Sequence, residues 1–444
     1  MALDVAPYAD ANSVAQVKTS DPPLWEVWVG ALIIAAATAP GMLLLGVSDV
    51  PGAPENPIFR FYWLPIYGAS AVMSLLRWRK LLDAWPAIIL ALALVVWAYL
   101  SKSWSILPDV TGRRAFALLM TTLIGLYLGS AFPARVLVKM LAAAFAVLAV
   151  GSLLITLAIP RFGLESEPTL HGDWRGLWIT KNTLAEFMMM GALAAISATM
   201  VSPGRRWRWV AMGLACLALL LLSKGKSSLL CLVLGAGVVA VLALLRRGPI
   251  TAVATGFVAG TVAIWGSFLA FVSPGIVFTA LGKDPTLTGR TDIWAAVLRQ
   301  SAAHPAFGFG FGAFWEKESI PAQVIRKQTH WLVPTAHNGW LDLLVQVGWI
   351  GVGLFAAVLV ITLLALLVRT YSLADGSFCL AFMIVFLLLS LSESVLEQHN
   401  NLPWSLFVAI MALAFRPMRR FEALGFQTSS SALHLRPAAI ETGP

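Results

Sequence analysis

Apolar runs of nearly twenty residues recur along most of this chain, and no other feature restricts its fold so strongly. A helix of about twenty apolar residues matches the roughly 30 Å hydrocarbon core of a bilayer. No water is available there to satisfy backbone N–H and C=O groups, so a helix, which bonds within itself, is the expected spanning form. Membrane strands would read as alternating segments of about ten residues, and none is visible. Composition agrees. Hydrophobic residues make up 59% of the chain and charged residues 12%, where a soluble domain carries about 25% charged residues.

The pattern predicts an all-α, polytopic membrane protein with about twelve transmembrane helices, at 25–47, 61–76, 84–100, 114–131, 136–158, 183–202, 207–222, 227–245, 250–272, 340–368, 376–392 and 402–416. The connections after even-numbered spans are basic: Arg77, Arg79 and Lys80; Arg135 and Lys139; Arg205, Arg206 and Arg208; Arg246 and Arg247; Arg369; then Arg416, Arg419 and Arg420. Short inner loops are enriched in Lys and Arg, so these sides are read as cytoplasmic, with both termini inside. The expected organisation is a cytoplasmic segment at 1–24, nine spans over 25–272, a long outer loop at 273–339, three spans over 340–416 and a cytoplasmic tail at 417–444. Residues 1–24 lack the charged-then-apolar order of a signal peptide, which leaves insertion to the first span.

The net charge of +9 is accounted for by this loop bias rather than by nucleic-acid binding, for which no soluble basic domain exists. The cysteines Cys216, Cys231 and Cys379 all lie in apolar runs and read as small buried residues.

The outer loop contains too many aromatic residues for a disordered segment. Its stretch TLTGRTDIWAAVLRQSAAHP (286–305) predicts a helix capped by Thr291 or Asp292, ending near Ala303 before Pro305. Ile293, Trp294, Val297 and Leu298 form one apolar face, suited to the membrane surface. Arg290 stands where backbone N–H groups gather, and a cation at a helix start suits an anion. FGFGFGAF (307–314) has no strand before it, so it is no dinucleotide fingerprint; it reads as tightly turning backbone, either packed on another surface or lining the path of a lipid chain or a sugar face. His337 and Asn338 sit at the mouth of the tenth span, where a histidine can be a base, a hydrogen-bond donor or a cap. His304 and His330 are weaker candidates, and no metal-ligand spacing joins them to His337.

Two further outer features are basic. SKGKSS (223–228) places Lys224 and Lys226 at the interface, and HGDWRGLWITKN (171–182) carries Arg175 and Lys181. Cations collected on the side where the loop bias disfavours them point to a bound anion at headgroup depth. A diphosphate on a lipid carrier fits, since guanidinium groups suit phosphate oxygens.

GRTDIWAAVLRQSAAHPAFGFGFGAF followed by AHNGWLDLLVQVGWIGVGLF resembles the O-antigen ligase and Wzy-type polymerase superfamily of bacterial inner membranes. SKSWSILPDVTGRRAFALLMTTLIGLYLG (101–129), GLWITKNTLAEFMMMG (176–191), LLLLSKGKSSLL (219–230) and SLSESVLEQHNNLPW (390–404) look like its branch of ExoQ-type exopolysaccharide polymerases. The resemblance implies a metal-independent, inverting glycosyltransferase without cofactor. Such an enzyme passes a glycan from undecaprenyl diphosphate to the hydroxyl of a lipid-linked repeat at the periplasmic face. The implied partners are that lipid-linked donor and acceptor, the bilayer, and a chain-length regulator or export machinery. Carried over by motif, the catalytic residues are Arg290 and His337. Lys226, or else Lys224, stands where the family often has an arginine; with Arg290, Arg175 and Lys181 they form the expected diphosphate-binding set. His337 is left open between accepting the acceptor's proton and hydrogen-bonding the diphosphate. The competing functions are ligation to a lipid A core or a protein, and transport of lipid-linked sugars.

Overall fold

The computed structural model describes residues 22–47, 57–167, 170–272, 289–372 and 376–417. The expected cytoplasmic segment before residue 22, the tail beyond 417 and the first part of the long loop, 273–288, lie outside the described residues. The described chain is helical: α1 (Leu24–Ala36), α2 (Pro57–Leu76), α3 (Trp78–Leu82), α4 (Trp85–Leu100), α5 (Pro108–Ala131), α6 (Ala134–Ala158), α7 (Pro160–Gly163), α8 (Lys181–Val201), α9 (Arg206–Leu222), α10 (Lys226–Leu245), α11 (Pro249–Val272), α12 (Arg290–Ser301), α13 (Ile320–Thr329), α14 (Gly339–Ser372), α15 (Ser377–Ser390) and α16 (Leu402–Phe415). A single β-bridge, Leu164 to Trp174, is the nearest approach to a strand among the described residues.

Six of these helices are long and apolar enough to cross a bilayer, and five shorter apolar helices accompany them. The chain is therefore a multi-pass membrane protein of the all-α type; twelve spans is the number expected from the apolar pattern. Large apolar side chains on the outer faces, such as Trp28, Phe61, Val147 and Phe257, are exposed, as a lipid-facing surface requires.

The helices pack through small residues. Gly125 and Gly129 of α5 lie against the backbone of α16, where an added Cβ would run into the carbonyls of Ser405 and Ala409. Two glycines four residues apart let the helix backbones approach closely, which matters where lipid offers no hydrophobic driving force. Trp404 donates to Thr122 and Ser405 to the Thr121 carbonyl across the same contact.

One end of the bundle is tied by basic side chains. Arg77 grips Glu26 with two nitrogens, Lys80 and Arg416 donate to the last carbonyls of α5, Arg369 to the Arg416 carbonyl, and Arg246 to the Thr370 carbonyl. Cations on C-terminal carbonyls match the negative end of the helix dipole. The opposite end carries the 159–180 segment, the 223–225 turn, residues 289–338 and the 391–401 connection.

The first apolar run departs from the expected span. Pro40 cannot continue a helix, because it lacks an N–H and its ring clashes with the preceding turn. α1 ends at Ala36, and the chain turns back so that Gly41 bonds Leu177 and Trp178 bonds Thr38.

α14 is interrupted at Gly348, whose φ of 69° breaks the helical ladder. The carbonyls this frees are taken by the FGFGFG strip. The Phe309 and Gly310 amides donate to Val345 and Gln346, and the Trp97 indole donates to Val347. Gly308, Gly310 and Gly312 all have positive φ. Added Cβ atoms there would strike Gln346, Ser105 and Arg114 respectively. Of the two readings of the strip, these contacts fit packing: it laces α14 to the α4–α5 connection.

Candidate active site

The 289–338 segment packs with the start of α14 around a second hydrophobic core, made of Ile293, Ala296, Val297, Phe309, Phe314, Ile325, Val333, Ala336 and Val345. Each large apolar side chain buried this way contributes about 1.5–3 kcal/mol, so the loop is a packed unit. This corrects two details of the sequence reading. Ile293 and Val297 of the expected apolar face of α12 are fully buried in that core rather than at the surface, while Leu298 of the same face is exposed. Its cap is Gly289 at φ 82°, without a side-chain hydrogen bond, while Thr291 and Asp292 lie inside the first turn. Only glycine enters this left-handed position without cost, which displaces the side-chain caps.

Gly289 delivers Arg290 as the first helical residue. Its guanidinium donates to the Ser392 carbonyl at 2.6 Å and lies 3.6 Å from Glu393 Oε1. His337 precedes α14 in a left-handed conformation, φ 49°. Its Nδ1 is 3.6 Å from the other Glu393 oxygen, and its ring stacks on Trp331, nearly parallel at 5.5 Å. Its Nε2 is enclosed with no hydrogen-bond partner among the described residues. Asn338 caps α14 by accepting from the Trp340 and Leu341 amides.

The support beneath His337 is buried Asp342. One of its oxygens accepts from the Trp315 indole and the Ala336 amide, and the other from Ser394. This carboxylate therefore fastens the approach to His337 and the 391–401 connection to the first turn of α14.

A second group forms around Asp173. Lys181 and Lys224 reach its two oxygens at 2.5 and 2.6 Å. Burial pushes this carboxyl up, but hydrogen bonds from the two lysines outweigh it and hold Asp173 below the usual carboxylate range. Arg175 is almost fully buried, donating to the carbonyls of Phe162, Ile179 and Arg161 beside Glu165. It fastens the 159–180 segment together. Lys226 is exposed and opens α10, directly after the Gly225 cap.

Of the candidate residues, the structure brings Arg290 to His337 through Glu393, and Lys181 to Lys224 through Asp173. Both groups lie near the first turns of α8. Gly225 packs on Ala185, and the next residue, Glu186, is within electrostatic reach of Glu393. Three helices at this end begin with a cation: α8 with Lys181, α10 with Lys226 and α12 with Arg290. Helix starts expose unpaired N–H groups and a positive dipole, so each is disposed toward an anion. His304 meets Phe309 edge to face, and His330 closes α13 in a left-handed turn.

Residues 210–356 match the family described as O-antigen ligase, Wzy_C. That stretch contains Lys224, Lys226, Arg290 and His337. The chain is also 26% identical over 326 residues to the exopolysaccharide production protein ExoQ of Rhizobium meliloti (strain 1021), covering 70% of this chain and 72% of that relative. Over these stretches the chain is similar to the O-antigen ligase family and to ExoQ. Glu393, which meets both Arg290 and His337, is a candidate that sequence reasoning missed. It lies beyond the matched domain, in the polar run SLSESVLEQHNN, whose carboxylates inside an otherwise apolar region were the available signal.

Proposed function

We propose that this chain polymerises a lipid-linked glycan at the periplasmic face of the bacterial inner membrane, with both termini in the cytoplasm and about twelve spans. The observation that carries the reading is the convergence of Arg290 and His337 on Glu393, since the loop arginine and the histidine of the family motifs come from separate elements and meet at one carboxylate. Glu393 faces His337 Nδ1 and so orients the ring, leaving Nε2, which has no hydrogen-bond partner, as the acceptor. A base needs one nitrogen held and the other without a competing partner.

In the step proposed, Nε2 takes the proton of the acceptor hydroxyl as its oxygen attacks the anomeric carbon of the donor. The bond from that carbon to the diphosphate oxygen breaks, and undecaprenyl diphosphate leaves with the electron pair. One displacement inverts the anomeric centre. Arg290 and Lys226 neutralise the charge that grows on the leaving group, aided by the helix starts that carry them. Lys181 and Lys224, held on Asp173, form the rim. The step draws its charge stabilisation from the chain's own cations and runs without metal.

The test is to give the purified protein a defined undecaprenyl-diphosphate-linked repeat in the presence of a chelator. Products lengthening by whole repeats support polymerisation. Transfer only to an added lipid core would indicate a ligase, and movement of the lipid across the bilayer with no new glycosidic bond would indicate a transporter.

A further inference from the structure

Residues 330–337 form a short strap between α13 and α14. His330 ends α13 in a left-handed turn, and the Trp331 carbonyl accepts from the Val333 amide at 2.8 Å. Arg326 donates to the Val333 carbonyl and to those of Trp315 and Glu316, and Asp342 accepts from the Ala336 amide. The strap is thus fixed at several points, and it folds so that rings near its two ends lie one on the other. The indole of Trp331 and the imidazole of His337 are 5.5 Å apart, centroid to centroid, and 5° from parallel.

Neighbouring tryptophans are anchored through their indole N–H groups: Trp294 donates to the Ala336 carbonyl, Trp315 to Asp342 and Trp340 to Ser390. Trp331 is held through its backbone, and 43% of it is exposed. One face of its indole lies on the imidazole, so the exposure falls on the other face and the outer edge. Covering such a ring removes apolar surface from water and is favourable. The neighbours decide what can cover it. His337 lies under the indole, and Glu393 lies beside His337. An occupant must therefore offer an apolar face to the indole and hydroxyls to the polar groups next to it. A pyranose does both, with C–H groups on a ring face and hydroxyls around the rim. Those C–H groups carry slight positive charge, which suits the negative face of an aromatic ring. An acyl chain brings no hydroxyl to an imidazole.

We propose that Trp331 is the platform on which the acceptor sugar lies, its open face against the C–H face of the pyranose whose hydroxyl is handed to His337. This rests on the reading of His337 as the base, and it names the acceptor's side of the same site.

The experiment separates the two substrates. The donor is a defined undecaprenyl-diphosphate-linked repeat capped at its non-reducing end, which cannot accept. The acceptor is the same repeat joined to its lipid through carbon, which cannot leave. Trp331→Leu should raise the half-saturating acceptor concentration about tenfold and leave that of the donor unchanged, while Trp331→Tyr, which keeps an aromatic face, stays within about threefold of the wild type. Hydroxyl-radical footprinting of the wild type needs no variant. The acceptor should slow oxidation of Trp331 at least about threefold and leave Trp207, 70% exposed at the other end of the bundle, unchanged. An unaltered acceptor dependence in Trp331→Leu, even with a slower maximal rate, would reduce Trp331 to a support for His337 and overturn the platform; so would a Trp331 that the acceptor does not protect. Protection of Trp331 by the acceptor in a wild type that forms no glycosidic bond would sink the polymerase reading and support the platform.

Discussion

His337 Nδ1 lies 3.6 Å from Glu393 Oε2, across the gap between the mouth of α14 and the 391–401 connection. Arg290 approaches the other oxygen of that carboxylate at the same distance. If Glu393 orients the imidazole, Glu393→Gln keeps the shape but loses the charge that holds it. Transfer should fall roughly tenfold, and by less than the roughly 10²–10⁴-fold loss from removing the base itself. The rate of repeat addition by each purified variant checks this. A Glu393→Gln enzyme as fast as the wild type would remove Glu393 from the site.

Lys226 opens α10, and in the step proposed it supplies charge rather than shape. Lys226→Ala should therefore slow donor use about tenfold or more, while Lys226→Arg retains most activity, because a guanidinium also pairs with phosphate oxygens. Initial rates over a series of donor concentrations separate the two variants. Equal loss in both would mean that the position senses packing.

Gly348 breaks α14 one helical stretch past His337, and an added Cβ would meet the Ala306 carbonyl. Gly348→Ala forces a strained backbone or pushes the FGFGFG strip away, at a cost of about 1–3 kcal/mol. Thermal unfolding in detergent should shift downward. Activity should fall with it, since the same strip anchors the loop that carries Arg290.

Glu397 has a pH signature. It is buried in the 391–401 connection, outside the helices, and burial pushes its carboxyl up to about 8. The folded state then holds a proton that the unfolded chain releases near the ordinary carboxylate value. Stability is highest below that value, falls as pH rises toward about 8, and levels off above it. Glu397→Gln should flatten this slope and raise the melting temperature at neutral pH. Melting curves across that window read it directly, and an unchanged slope would contradict the assignment.

The six long apolar helices were legible because a bilayer imposes length and apolarity on local sequence. Arg290 and His337 stood out as candidates because the motifs that resemble the family mark them. The kink was not legible: in LLVQVGWIGVGLF glycine is ordinary for a membrane helix, and only the docked FGFGFG strip requires a left-handed Gly348. Glu393 was hidden because its partners come from α12 and from the mouth of α14, a pairing that exists only once the bundle closes. The same holds for Arg175, whose charge was visible but whose carbonyl partners were not. In the first run, Pro40 outweighed the apolar pattern around it.

The central claim is that Arg290 and His337 carry glycan transfer at the outer end of the bundle. Its most direct measurement is repeat addition by purified Arg290→Ala and His337→Ala proteins on a defined undecaprenyl-diphosphate-linked donor, each matched to the wild type in thermal unfolding. The account predicts that both lose at least about a hundredfold in rate. Correctly folded variants that lengthen the glycan at the wild-type rate would contradict it.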